Sequence, residues 1–169
     1  NLSMTMAFMA CSSRTPGVGR RVVARLRAAR EAATRLWQHE VRRPKIFISG
    51  PEDVAALLTP EMASLDREHF RAILLNTKNR ILGIRTISIG SLNSSIVHAR
   101  EVFKAAVNES AQALVLVHNH PSGIPEPSAE DIIVSERLAD AGRILGIEVL
   151  DHVIIAADGF TSMKELGHL

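Results

Sequence analysis

From Phe70 onward the apolar residues fall into short runs separated by glycine, proline and small polar residues. Phe70 to Leu75 and Ile81 to Ile89 read as strands, with Asn76-Thr77-Lys78-Asn79 as the hairpin turn between them. Ala113 to Val117 is a short, branched, unbroken apolar run, the pattern of a buried strand. Glu148 to Ala156 gives a further strand, followed by a turn at Asp158-Gly159. Other segments have helical spacing. Gly50-Pro51-Glu52-Asp53 opens a short helix to about Leu58, and His98 to Glu109 forms another. A third opens at Ser128 and runs to about Leu145, with Gly142 and Gly146 flanking its end. Ser91 to Ser95 is a polar loop. Antiparallel hairpins mixed with helices predict an α/β domain, a mixed β-sheet sandwiched by helices.

Charge changes the picture at the N-terminal end. Arg14 to Lys45 carries ten basic residues against Glu31 and Glu40, a balance of +8 in a chain of +2, which leaves −6 for the rest. The composition also shifts near Pro44. The chain therefore divides into a basic helical arm, residues 1–45, and an acidic-leaning domain, residues 46–169. A hydrophobic content of 46% is ample for a core. No run approaches the ~18–20 continuous apolar residues of a membrane span, so no membrane partner is expected. The single cysteine, Cys11, excludes an internal disulfide and suits a reducing cytoplasm. The opening NLSMTMAFMACSS has no basic region ahead of it, so it does not read as a signal peptide. It reads as the interior of a longer protein.

Candidate chemistry gathers in Leu114 to Asp131, LVLVHNHPSGIPEPSAED. Residues i and i+2 on an extended segment point the same way, so His118 and His120 can reach one ion together. Pro121, Ser122, Gly123, Pro125 and Pro127 force an irregular loop. Ser128 then falls at a helix N-cap and Asp131 in the first helical turn, beside the two histidines. Taken singly, each residue has an ordinary explanation: a structural histidine, or a Ser-x-x-Asp capping box. The combination is hard to explain by packing, and capping does not exclude ligation. A catalytic zinc takes three protein ligands and keeps a fourth position for water.

The spacing His-x-His, seven residues, Ser, two residues, Asp resembles the JAMM signature of the MPN-domain zinc metalloproteases. HNHPSGIPEPSAED is similar, more narrowly, to the RadC family, and the similarity runs from about Ser49 to Leu169. It includes REHFRAILLNTKNRILG, HAREVF, LADAGRILGIEVLDHVII and GFTSMKELGHL. One departure is Ala99, where the family usually has proline. The resemblance implies a JAB/MPN fold of cytidine-deaminase-like architecture. It implies one Zn²⁺ per chain on His118, His120 and Asp131, with Glu68 as catalytic base and Ser128 as donor to the oxyanion of an amide hydrolysis. Without the resemblance, Glu68 is a solvated charge in the polar cluster Asp66-Arg67-Glu68. Glu101 and Glu109 match no catalytic position of the family. The substrate class carried over is a protein or peptide, often with an isopeptide bond.

Thr15-Pro16-Gly17-Val18-Gly19-Arg20 leads into an Ala/Arg/Leu-rich helix and resembles the second hairpin of a helix-hairpin-helix element. Glycine turns at helix starts expose N–H groups to phosphate. A solvated, arginine-decorated linker helix is the equal alternative. DNA contact through Arg14–Lys45 would be non-specific and salt-sensitive. A DNA-associated repair or recombination accessory protein without protease activity is therefore the alternative function, and a structural zinc domain without turnover is a third. HNH nucleases disperse their motif across a ββα-metal unit, and zinc deaminases need P-C-x-x-C, which a chain with one cysteine lacks. His39 on the arm helix, His69 after Glu68 and His168 at the C-terminus read as ordinary histidines without a site role. His98 and His152 lie at element ends, open to a fold role or a place near the site.

Overall fold

Alternation along the apolar runs gives the domain two different sheet faces. The computed structural model describes residues 19–42, 46–90 and 97–169. Its strands are β1 (His69–Leu75), β2 (Ile81–Ile89), β3 (Ala113–Asn119), β4 (Glu148–Ala156) and β5 (Gly159–Ser162). They form one sheet in the order β2-β1-β3-β4-β5. β1 is antiparallel to β2 and β3, β3 is parallel to β4, and β4 is antiparallel to β5. The sheet is therefore mixed. All seven residues of β3 are buried, which explains why its sequence is unbroken rather than alternating.

Four helices are present among the described residues: α1 (Arg20–Arg42), α2 (Pro51–Met62), α3 (Ala99–Asn108) and α4 (Ala129–Leu145). On one face Phe70, Leu74, Leu114 and Leu116 pack with Val102 and Phe103 of α3 and Val134 and Leu138 of α4. On the other, Ile73, Val115, Val117, Val153 and Ile155 pack with Val54, Leu58 and Met62 of α2. The sheet is thus sandwiched as its sequence predicts. α2 runs one turn beyond the expected end at Leu58, through Pro60, because Met62 is fully buried under the sheet. Ala99 occupies the first position of α3, after His98 as N-cap. Proline is favoured there but not required.

The parallel step from β3 through α4 to β4 fixes where the site lies. The chain leaves the carboxyl end of β3 and enters the N-terminus of α4, the place where layered α/β proteins bind ligands. α4 ends close against the start of β4. A Cβ on Gly142 would lie 2.4 Å from the Ile147 carbonyl oxygen, so only glycine fits. Gly146 caps the helix at φ 68°.

The chain parts into two compact units between Pro44 and Lys45. In the first, α1 exposes Arg21, Arg25, Arg27, Arg30 and Arg35. The glycine turn Thr15–Val18 and the polar loop Ser91–Ser95 lie outside the described residues. No helix among the described residues is long and apolar enough to cross a membrane.

Candidate metal centre

β3 carries the first histidine into the interior. His118 is fully buried, with its ring stacked on Phe70 at 6.1 Å between centroids. The extended backbone continues past the strand end, where His120 N–H donates to the Ile155 carbonyl at 2.8 Å. The loop then folds back. Gly123, at φ +87°, donates to the His120 carbonyl at 3.1 Å. His120 Nδ1 lies 2.9 Å from the Ile124 carbonyl. At the start of α4, Asp131 N–H donates to Ser128 Oγ at 3.2 Å, while Ser128 N–H and Oγ–H each donate to Asp131 Oδ2 at 2.7 Å. This capping box satisfies the helix end and fixes the carboxylate at once.

His118, His120 and Asp131 converge. His118 Nε2 is 2.9 Å from His120 Nε2 and 3.3 Å from Asp131 Oδ1, and His120 Nε2 is 3.4 Å from Asp131 Oδ2. One ligand atom from each of the three residues lies within 4.8 Å of the others, a spread in keeping with a tetrahedral ion, whose bonds of about 2.0–2.1 Å set its ligand atoms about 3.3 Å apart. The hydrogen bonding supports the same fit. His120 Nδ1 faces a carbonyl that can only accept, so its proton sits there and Nε2 offers a lone pair. Lone pairs of two histidines and a carboxylate at such distances repel unless a proton or metal cation lies among them. Among the described residues this is the group able to hold a metal.

The titration behaviour follows from the same crowding. A hydrogen bond with Asp131 raises the His120 pKa against the opposing effect of burial, with help from the Ile124 carbonyl and the charge of Glu68. Burial pushes His118 well below the ordinary histidine range, so it stays neutral. Burial pushes the Asp131 carboxyl up, but hydrogen bonds from His120 and Ser128 outweigh it and leave it low.

Glu68 lies just before β1 and is partly buried. Its charge acts on His120, so its carboxylate belongs to the field of the cluster. Glu109 pairs instead with Arg85, and Glu101 with Arg100 at 3.2 Å. Two residues of the site have roles that sequence reasoning did not assign. Asn119, buried between the two histidines, accepts from His69 N–H at 2.8 Å and donates to the Arg67 carbonyl at 3.0 Å. It thereby clamps both backbone neighbours of Glu68 to the ligand strand. His152, fully buried on β4, places Nε2 2.8 Å from His118 Nδ1. Burial holds its pKa down at about 4, so it is neutral.

Replacing Asn119 with Leu should remove two part-buried hydrogen bonds, each worth about 0.5–1.5 kcal/mol. Urea unfolding is expected to show the loss. A stability equal to wild type would mean that the clamp holds nothing.

Residues 48–168 match the family model described as the RadC-like JAB domain. A UPF0758 protein of Moorella thermoacetica is 56% identical over 149 residues, 88% of this chain and 64% of that protein. Another, from Desulforamulus reducens, is 51% identical over 155 residues, 92% of this chain and 68% of its own length. A third, from Caldanaerobacter subterraneus, is 53% identical over 152 residues, 90% and 65% respectively. The chain thus spans just under two thirds of the Moorella protein. The family match takes in β1 through β5 together with Glu68, the His-x-His strand and the Ser128–Asp131 cap. This chain belongs to the RadC-like JAB domain family.

Proposed function

We infer that this chain is a zinc-dependent metallohydrolase of the JAMM type, cleaving a peptide or isopeptide-like amide bond in a protein or peptide substrate. The observation that carries the reading is the convergence of His118 Nε2, His120 Nε2 and an Asp131 oxygen on one point, with His120 Nδ1 already committed to the Ile124 carbonyl. JAB domains as a family are associated with metal-dependent hydrolases. His118, His120 and Asp131 would hold one zinc per chain, which when bound would supply a Lewis acid for an amide carbonyl and for water. Glu68 would serve as the general base, holding the proton taken from the attacking water and passing it to the leaving nitrogen. Asn119 keeps Glu68 in register with the ligands while it does so.

Ser128 donates to the developing oxyanion in this mechanism, a contribution worth about 10²–10³ in rate. Its single hydroxyl proton points at Asp131 Oδ2 in the structure, so donation to substrate requires the hydroxyl to rotate. With one cysteine, the chain suits the reducing cytoplasm.

A zinc titration of metal-free protein tests the reading. One ion per chain is expected, with affinity falling as pH drops through the raised pKa of His120. The sign follows from competition: below that pKa a proton occupies the Nε2 lone pair, and above it the lone pair is free for metal. Binding that ignores pH, or no binding at all, contradicts the assignment.

The exposed arginines of α1 favour a second reading, a DNA-associated repair or recombination accessory protein whose metal domain has no protease activity. If residues 1–45 are removed and affinity for duplex DNA is unchanged, that reading is lost.

A further inference from the structure

A line of buried side chains runs from the metal centre back to its own third ligand. His118 Nδ1 lies 2.8 Å from His152 Nε2, and His152 Nδ1 lies 2.6 Å from Ser135 Oγ. The Ser135 hydroxyl donates to the backbone carbonyl of Asp131 at 2.6 Å. His118, Ser135 and His152 are fully buried, so no bulk water replaces a missing partner.

The proton positions can be worked out from the far end. The Asp131 carbonyl can only accept. The one proton of Ser135 goes to it, which leaves Ser135 Oγ to accept from His152 Nδ1–H. A neutral His152 with its proton on Nδ1 has a bare Nε2. That atom accepts from Nδ1–H of His118. Neutral His118 with its proton on Nδ1 has a bare Nε2, and this is the atom that faces His120 and Asp131.

We propose that Ser135 and His152 are positioning residues that hold His118 in the Nδ1–H tautomer, so its metal-facing nitrogen is free before any metal arrives. Free histidine prefers its proton on Nε2, and in a protein the partner of one ring nitrogen decides the state of the other. Were the line reversed, with Ser135 donating to His152, His118 would carry its proton on Nε2 and close the site. The Asp131 carbonyl prevents that reversal. The same line ties His118 on β3 to the peptide of Asp131 on α4, so two ligands from different elements are oriented by one network. The inference deepens the metal-centre reading and rests on it for its purpose. The tautomer itself belongs to the metal-free chain.

Nitrogen-15 NMR of the histidine-labelled, metal-free full chain reads the tautomer directly. The expected His118 spectrum is that of a protonated Nδ1 and a bare Nε2. Ser135→Ala and His152→Phe should each lose this single tautomer. Each should also weaken zinc, measured by competition with a chromogenic chelator, by about 10–100-fold, as removal of a ligand's hydrogen-bond partner does. His152→Gln, whose amide can accept from His118 and donate to Ser135, should recover most of that loss. If His152→Phe fails to fold, the smaller Ser135→Ala change still decides the matter. A His118 protonated on Nε2 in the wild type overturns the proposal, as do variants whose tautomer and affinity match wild type. If zinc fails to bind the wild type, the metal reading falls while the tautomer still decides this inference.

Discussion

Asp131→Asn is expected to weaken zinc binding by more than about 100-fold while the domain stays folded, since loss of a mere outer partner costs about 10–100-fold. Asn keeps the shape of the side chain, and its carbonyl oxygen can still accept from Ser128 N–H and Oγ–H, the two bonds now made to Oδ2. The cap of α4 therefore survives. What disappears is a buried negative charge that two histidine nitrogens face at 3.3 and 3.4 Å. The same charge sustains the raised His120 pKa, so the pH dependence of any residual binding should move toward that of ordinary histidine. Chelator competition paired with thermal unfolding separates the two effects. Wild-type affinity in a folded Asp131→Asn protein would remove Asp131 from the ligand set.

Glu68→Gln is expected to leave zinc affinity within a few-fold of wild type and to lower the rate of amide hydrolysis by about 10²–10⁴, the usual contribution of a general base. Gln has nearly the same volume but cannot take up a proton. The backbone on either side of residue 68 stays clamped by Asn119 in the variant, so geometry is preserved and only the proton chemistry is removed. The comparison is made as kcat at saturating zinc on any peptide the wild type cleaves. Loss of zinc along with activity would make Glu68 a ligand or a support rather than the base.

What the sequence made legible was local. The unbroken run Ala113–Val117 announced a buried strand, and Ser128 with Asp131 announced the start of α4, because strand burial and capping depend on neighbours a few residues away. The convergence of His118, His120 and Asp131 was readable for the same reason: strand end, loop and helix start are consecutive. β5 was read only as the turn before it, since Gly159–Ser162 is four residues long and gains its pairing from β4. The extra turn of α2 needed the burial of Met62, which is tertiary information. Asn119 and His152 act on partners 50 and 34 residues away in the chain, so spacing alone had no means of assigning them. Glu68 carried no periodic signal and stood out only through family resemblance.

Ser128 shows a different limit. Its position was legible, but the direction of its hydroxyl proton depends on the buried carboxylate beside it. Departures from simple pattern therefore gather around the candidate metal centre.

The most direct test of the central claim is cleavage of a peptide library, followed by mass spectrometry, as zinc is titrated into metal-free protein, with Glu68→Gln as the parallel sample. Products that rise with the first equivalent of zinc in the wild type and are absent from Glu68→Gln are the predicted result. Zinc bound at one per chain, with the same product set from both proteins or from neither, would contradict it.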